Sequence, residues 1–349
     1  MKTTQFNINK LVRGNVKNLK PYSSARDEYV SDGSEMIFLD ANENPFENGV
    51  NRYPDPLQRS LKQALAAQKG VNPSNILLGN GSDEVLDLIF RAFFEPKVDN
   101  IITLPPTYGM YKVLTGINDI EERQVLLTED FQPNIKEILN TKDQNTKAIF
   151  ICSPNNPTGN SMDEEKIITI LQNFDGLVII DEAYIDFSDQ LSWISKLENY
   201  PNLIITQTLS KAYGLAGIRL GICYASEEII TILNKIKPPY NVNELTQQRA
   251  LKRVQDVNAV KDEVLKILHE RNKLENELEH LSFVKKIYKT EANFILAKVD
   301  NANMRYDQLL KKGIVVRNRS TQPLCENTLR FTVGKPQENE KLIKALKTL

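Results

Sequence analysis

The sequence predicts an α/β fold built around a mostly parallel β-sheet, and three observations lead to this expectation. Near-continuous apolar runs follow one another through the middle of the chain, and amphipathic segments with helical periodicity separate them. Apolar runs of this kind are typical of strands in a sheet that is covered on both faces. The 349 residues, of which 41% are hydrophobic, are also enough to form a sizeable core.

The strand-like runs occur in a regular order. They lie at 100–105, 148–154, 176–181, 203–208 and 221–225. Helical patterns lie at 82–94 and 163–174, and the first of these is expected to begin with Ser82 as its N-cap. This alternation of strand and helix is the pattern of a parallel sheet with crossover helices.

The pattern changes after residues 237–243. A long helix is expected through about residue 280, followed by strands at 283–290 and 292–299, a final strand at 328–334 and a short helix. We therefore expect a large domain over 46–243 and a smaller α+β domain over 244–349, with residues 1–45 joining the smaller one.

Composition excludes several classes of function. The formal net charge of -1 argues against a nucleic-acid partner. No N-terminal apolar region resembles a signal peptide and no apolar stretch reaches membrane-spanning length, so a cytoplasmic protein without a membrane partner is expected. The three well-separated cysteines fit reduced thiols. With only two histidines, His269 and His280, both in a charged helical stretch, neither a Ser-His-Asp triad nor a metal site is expected.

Polar side chains follow consecutive strands at the edge where ligands bind in open α/β sheets. They are Tyr108, Asn156, Asp181 with Tyr184, and Lys211. Each of them taken alone has an ordinary structural explanation in core packing, a turn, a helix cap or a solvated surface. Their recurrence at consecutive strand ends favours a common site.

Two cations in the stretch "TLSKAYGLAGIRLG" have no acid near them in the sequence. Lys211 follows an apolar strand, and Arg219 follows within the same stretch. A buried or half-buried cation needs an anion, and a ligand is expected to supply it.

A nucleotide site is a competing interpretation, because "LVIIDEA" at 177–183 resembles the strand that ends at the magnesium-binding acid of P-loop proteins. That site requires an upstream G-x-x-x-x-G-K-[ST] loop, whereas the only Gly-Lys pair, Gly334-Lys335, precedes Pro336. The stretch "GNGSDE" at 79–84 also lacks the third glycine of a dinucleotide fingerprint.

Pyridoxal 5'-phosphate chemistry uses the observed groups together. A lysine attaches the cofactor, an acid keeps its ring nitrogen protonated, and the ring acts as an electron sink. The phosphate needs N–H groups at a helix N-terminus, here 81–83, and a cation with hydroxyls, here Arg219, Thr208 and Ser210.

The chain resembles the aspartate-aminotransferase fold family of pyridoxal-phosphate enzymes, with fold type I, over nearly its whole length. The motifs "SPNNPTG", "DEAY" and "SKAYGLAGIRLG" occur in the order of that superfamily. The motifs "PYSSAR", "LDANENP" and "RYPDP" narrow the resemblance to the subfamily of histidinol-phosphate aminotransferases.

The resemblance implies a role for each matching residue. Lys211 would bind the cofactor and move the proton, Asp181 would pair with the ring nitrogen, Tyr184 and Asn156 would bond the ring oxygen, and Tyr108 would stack on the ring. The implied phosphate-binding residues are Ser82, Asp83, Thr208, Ser210 and Arg219, with Tyr53 reaching the neighbouring subunit of a homodimer with shared sites. The implied substrate-binding residues are Tyr22, Asn42, Arg317 and Arg330.

The resemblance further implies transamination between histidinol phosphate and 2-oxoglutarate, with glutamate as the other product, in histidine biosynthesis. A threonine-phosphate decarboxylase or an aromatic aminotransferase of the same fold are the alternatives, and a regulatory domain that binds the cofactor without catalysis is a third. Many family members have a glycine-rich span before the last arginine, whereas 317–330 is polar here. The resemblance therefore does not define the geometry of Arg317 and Arg319.

Overall fold

The computed structural model describes residues 6–21 and 37–349, and its strands form two separate sheets. The strands of the larger sheet are β1 (Ile76–Asn80), β2 (Asn100–Thr103), β3 (Glu121–Gln124), β4 (Thr146–Cys152), β5 (Leu177–Asp181), β6 (Leu203–Thr208) and β7 (Leu220–Ala225). Those of the smaller sheet are β8 (Val284–Ile287), β9 (Phe294–Val299), β10 (Arg317–Asn318) and β11 (Thr328–Thr332).

The seven-stranded sheet has the order β1-β7-β6-β5-β4-β2-β3. Strands β3, β2, β4, β5 and β6 pair in parallel, whereas β7 is antiparallel to both of its neighbours. The prediction of a mostly parallel sheet is confirmed. Because the parallel strands all end at one edge, the residues that follow them converge there.

The helices cover both faces of this sheet and one face of the smaller one. In chain order they are α1 (Gly14–Lys17), α2 (Arg59–Lys69), α3 (Gly81–Phe93), α4 (Met110–Asn118), α5 (Ile135–Thr141), α6 (Glu164–Asn173), α7 (Glu227–Ile236), α8 (Glu244–Gln255), α9 (Val257–Glu279), α10 (Ala302–Lys311) and α11 (Pro336–Leu346).

Alternate residues of the central strands enter two different cores. Ile149 and Ile151 of β4 lie in the core on one side of the sheet, and Ala148 and Phe150 lie in the core on the other side. This two-sided burial explains why the strands are apolar along their length.

The smaller sheet is antiparallel, with the order β10-β11-β9-β8. Its core includes residues of α9, α10 and α11.

Residues 6–17 differ from the sequence expectation, since Ile8, Leu11, Val12 and Val16 are buried in the core that contains α3 rather than against the smaller sheet. The domain boundaries at 45–46 and 243–244 stay a prediction. No helix within the described residues is long and apolar enough to cross a membrane.

Two local predictions were wrong. Ser82 is not the N-cap of α3 but its second residue, because the chain turns into the helix at Gly81, whose φ is +76°. The expected long helix to about residue 280 is interrupted at Asp256, whose ψ of 58° does not continue a helix and separates α8 from α9. The short strands β1, β3 and β10 were not among the strands predicted from the sequence.

Candidate active site

Asp181 lies at the centre of the carboxyl edge of the large sheet. It is the last residue of β5, and it is aligned with Cys152 on β4 and with Thr206 on β6. Its side chain accepts hydrogen bonds from the hydroxyl of Tyr111 at 3.0 Å and from the backbone N–H of Ala183 at 3.1 Å.

The carboxyl group of Asp181 is fully buried. Within the described ranges 6–21 and 37–349, no lysine or arginine forms an ion pair with it. Burial raises the pKa of this carboxyl from 3.8 to about 6, although the hydrogen bond from Tyr111 acts in the opposite direction. A cationic partner would remove most of this penalty.

Lys211 follows β6 and lies half-buried in front of Tyr184. Its Nζ atom is 5.5 Å from the centre of the Tyr184 ring. Burial lowers the pKa of this lysine, and the nearby charge of Arg330 lowers it further, while Asp181 raises it. A lowered pKa increases the fraction of neutral amine, which is the nucleophilic form.

The N-terminus of α3 approaches Arg219 closely. A Cβ atom on Gly81 would lie 2.6 Å from Nη2 of Arg219, and the φ of +76° at Gly81 is one that residues with a side chain rarely adopt, so glycine is favoured there. The N–H of Gly81 donates to the carbonyl of Arg219 at 3.0 Å. The backbone N–H groups of the next residues in the first turn of α3 have no hydrogen-bond acceptor within the helix, as at any helix N-terminus, so they can bind an anion.

Arg219 has an acidic partner, contrary to what the sequence suggested. Its Nη2 atom lies 3.4 Å from Oδ2 of Asp83, a residue 136 positions away in the chain. The other carboxylate oxygen of Asp83 accepts a hydrogen bond from the hydroxyl of Tyr108 at 3.0 Å. Asp83 therefore holds both Arg219 and Tyr108 in place, and Arg219 remains exposed enough to meet a further anion.

Two hydroxyls lie beside this helix start. The Oγ1 atom of Thr208 is 3.0 Å from the Oγ atom of Ser210 and accepts a hydrogen bond from its backbone N–H at 3.1 Å. Because Thr208 aligns with Gly221 on β7, and β7 continues from Arg219, the hydroxyls and the guanidinium occupy one end of the site.

Arg330 connects the smaller sheet to the large one. Its Nη1 atom donates to Oδ1 of Asn156 at 2.5 Å, and its guanidinium lies 5.0 Å from the ring of Phe294, which itself packs edge-on against Tyr184. On the smaller sheet, Arg317 lies directly opposite Arg330.

Two of the predicted site residues, Asn42 and Tyr53, are not brought to this cluster. Asn42 and Tyr53 line a separate open cavity of about 430 Å³ at the start of α8. The Tyr53 ring, 49% exposed, stacks on Tyr240 at 4.5 Å. Tyr22 lies outside the described residues.

The residues present fit pyridoxal 5'-phosphate. The buried acid Asp181 has no ion-pair partner among the described residues, which suits a protonated ring nitrogen. Lys211 has a lowered pKa, which suits attachment of the cofactor, and the close approach of the N-terminus of α3 to Arg219 suits a phosphate.

The sequence analysis missed Tyr111 as a member of the site. This fully buried tyrosine follows Tyr108 by three residues at the start of α4, and its hydroxyl donates a hydrogen bond to the side chain of Asp181. The helical spacing after "PPTYG" was the available signal, but the pattern also fits an ordinary core tyrosine.

The chain belongs to the family of class I and II aminotransferases, whose model matches residues 37–346. It is accordingly a pyridoxal-phosphate-dependent aminotransferase with an α/β fold of type I.

The chain is also similar to members of a narrower group within this family. The chain is 66% identical to the histidinol-phosphate aminotransferase of Flavobacterium johnsoniae over 345 residues, which is 99% of both chains. The crystal structure of the histidinol-phosphate aminotransferase from Clostridium acetobutylicum matches with a TM-score of 0.79 and 27% identity, over 86% of this chain and 90% of that one. That of the enzyme from Sinorhizobium meliloti, in complex with pyridoxal-5'-phosphate, matches with a TM-score of 0.79 and 25% identity, over 85% of this chain and 82% of that one.

Proposed function

We propose that the chain catalyses the reversible transamination of histidinol phosphate with 2-oxoglutarate, which yields imidazole acetol phosphate and glutamate in histidine biosynthesis. The observation that carries this proposal is the cationic surface next to Lys211. Arg330 reaches from the smaller sheet to Asn156, and Arg317 lies opposite it. Neither arginine forms an ion pair with an acid among the described residues, so the surface is available to an anionic substrate. The similarity to histidinol-phosphate aminotransferases supports the same substrate.

The positions of the side chains support the proposed cofactor-binding roles. When bound, pyridoxal phosphate supplies an electron sink for the substrate carbon that loses its proton. Asp181 stabilises a positive charge at the buried end of the site, and Lys211 is the amine placed to attach the cofactor and to move the proton. Tyr184 lies beside Lys211 and Asn156 beside Arg330, which supports both as hydrogen-bonding partners of the ring oxygen. Tyr108 is assigned to stack on the ring from the family resemblance.

The phosphate of the cofactor is assigned to the other end of the site. Ser82 and Asp83 offer backbone N–H groups at the start of α3, while Thr208 and Ser210 offer hydroxyls and Arg219 its charge. The Asp83 carboxylate is occupied by Arg219 and Tyr108, so this residue would bind the phosphate through its backbone.

The substrate-binding roles of Tyr22, Asn42, Arg317 and Arg330 remain proposals. Arginine at position 330 suits both half-reactions, because its planar fork binds a phosphate or a carboxylate in a bidentate manner. Tyr22 and Asn42 are assigned from the family resemblance.

We also propose a cytoplasmic homodimer with shared sites. Large apolar side chains of the segment 37–53 and of α8 are exposed, including Ile37 at 83%, Leu39 at 86%, Phe46 at 79% and Leu245 at 64%. Exposed apolar side chains in such number favour burial by a second copy. Tyr53, in the same segment, would then contact the cofactor phosphate of the neighbouring subunit.

A substrate panel tests the proposal. The purified enzyme loaded with pyridoxal phosphate should convert histidinol phosphate together with 2-oxoglutarate, and it should discriminate strongly against unphosphorylated histidinol. Equal use of histidinol and its phosphate ester would refute the anion site and favour an aromatic aminotransferase. Release of carbon dioxide from threonine phosphate, without glutamate formation, would favour a decarboxylase instead.

A further inference from the structure

Arg319 lies on the same face of the smaller sheet as Arg317 and Arg330. Residues two apart on a strand share a face, and Arg317 is aligned with Arg330 across the antiparallel pair. The backbone N–H of Arg319 continues this ladder by donating to the carbonyl of Thr328 at 2.9 Å. Three guanidinium groups are thus brought to one surface.

The guanidinium of Arg319 is half-buried and lacks a partner in the described parts of the chain. Its Nε atom is buried without a hydrogen-bond acceptor, and no acid of residues 6–21 or 37–349 forms an ion pair with it. Burial, together with the charges of Arg330 and Arg317, lowers the pKa of Arg319 to about 10. Burying a cation among like charges is unfavourable unless an anion joins them.

Arg305 shows what a structural arginine looks like in the same part of the fold. Its guanidinium donates to both carboxylate oxygens of Asp300, at 3.0 and 2.7 Å, and to the carbonyl of Leu349 at 2.9 Å. Arg319 has no such set of acceptors, so stabilisation of the smaller domain does not account for it.

The charge of Arg319 also reaches the catalytic end of the site. Together with Arg330 it opposes the rise that burial causes in the pKa of Tyr184. Tyr184 in turn lies next to Lys211. The charge of Arg319 thus acts on a side chain that neighbours Lys211, and the non-reacting end of a substrate would lie between Arg319 and Lys211.

We propose that Arg319 is a specificity-determining residue that, with Arg317 and Arg330, selects a doubly charged phosphate ester over a singly charged group. This inference rests on the proposed function. Two arginines suffice for a carboxylate, whereas a phosphate ester carries close to two negative charges above its second pKa of about 6 and offers three acceptor oxygens. A third guanidinium favours the phosphate ester because it pairs with the additional negative charge and donates a hydrogen bond to the additional oxygen.

The expected effect is selective for one half-reaction. A hydrogen bond to a charged group contributes enough that Arg319→Gln should lower kcat/KM for histidinol phosphate by about 10- to 100-fold. The half-reaction with glutamate, whose distal group is a singly charged carboxylate, should change by less than about 3-fold. Arg319→Lys should recover part of the loss, since it restores the charge without the planar fork.

Single-turnover measurements of the two half-reactions, followed by the absorbance of the bound cofactor, test this inference. Lys341→Gln, at an exposed position on α11, removes a positive charge from the same domain and serves as the matched control. In the wild type, kcat/KM for histidinol phosphate should rise between pH 5 and 7 as the phosphate loses its second proton. This rise should be smaller in Arg319→Gln, and inhibition by inorganic phosphate should weaken in parallel.

The outcomes distinguish a failure of the inference about Arg319 from a failure of the proposed function. Equal losses in both half-reactions, or an unchanged pH dependence in Arg319→Gln, would assign Arg319 a structural role and overturn the inference while leaving the proposed function intact. A wild-type enzyme that does not accept histidinol phosphate would overturn both. A folded Arg319→Lys variant that shows no recovery would refute a role for the charge.

Discussion

Replacing Asp181 by asparagine should stabilise the cofactor-free protein while impairing the enzyme. The carboxyl group of Asp181 is fully buried and has no ion-pair partner among the described residues. Asparagine has nearly the same shape, and its amide can still hydrogen-bond with the hydroxyl of Tyr111 and the N–H of Ala183, whose present distances are 3.0 and 3.1 Å. The substitution therefore removes a buried charge and little else.

The magnitude follows from the pKa of Asp181. Burial raises this pKa from 3.8 to about 6, so the folded protein binds the proton more tightly than the unfolded chain does. Stability is then lost as pH rises from about 4 to above 6, and the loss amounts to about 3 kcal/mol. At pH 7.5 the free energy of unfolding of Asp181→Asn should exceed that of the wild type by up to this amount, and the difference should vanish towards pH 4.

Chemical denaturation of the apoprotein at a series of pH values measures this difference. Protein concentration must be held constant, because association would change the apparent stability. Asp189→Asn, at an exposed position, makes the same change of charge without relieving burial. A variant Asp181→Asn that is no more stable than the wild type at pH 7.5, or a difference that grows on acidification, would refute the reasoning. With the cofactor bound, turnover should fall by 100-fold or more, since loss of one electrostatic stabiliser costs roughly 3 kcal/mol of transition-state energy.

Three further substitutions have definite outcomes. Lys211→Ala should abolish transamination, and borohydride reduction of the wild type followed by peptide mapping should place the cofactor on Lys211 and on no other lysine. Mixing an inactive Tyr53 variant with an inactive Lys211 variant should restore part of the activity if the sites are shared, and confirmed subunit exchange without recovery would argue for sites within one chain. Gly221→Ala should lower the free energy of unfolding by at least about 1–3 kcal/mol and weaken cofactor binding, because the added Cβ would overlap the backbone of Ser82. Gly217 has open space around it, so Gly217→Ala should be nearly neutral in the same denaturation and binding assays.

The sequence was most informative where local pattern and chemistry coincide. Strand β6 occupies the predicted residues 203–208, because its first three residues are large and apolar, and such a run inside a doubly covered sheet has few alternatives. The rule that ligands bind at the carboxyl edge of such sheets then pointed to Asp181 and Lys211. The structure does place Lys211 and Asp181 near enough to influence each other's charge.

What could not be predicted depends on contacts between distant parts of the chain. The ion pair of Arg219 with Asp83 joins residues 136 positions apart, and neither residue has a local signature that indicates it. Tyr111 differs from a core tyrosine only through its hydroxyl, whose acceptor belongs to another element. Asn42 and Tyr53 lie in a cavity apart from Lys211, and the proposed role of Tyr53 depends on a second copy of the chain.

Lys211 is influenced by an acid on the large sheet and by an arginine on the smaller sheet. Asp181 on the large sheet raises the pKa of Lys211, whereas Arg330 on the smaller sheet lowers it. An anion that pairs with Arg330 cancels part of its repulsion and therefore raises the pKa of Lys211. Substrate binding would thus make this lysine a stronger base at the stage when a proton must be removed from the substrate. A fall in the pKa of Lys211 on binding of an anion would contradict this division of charge.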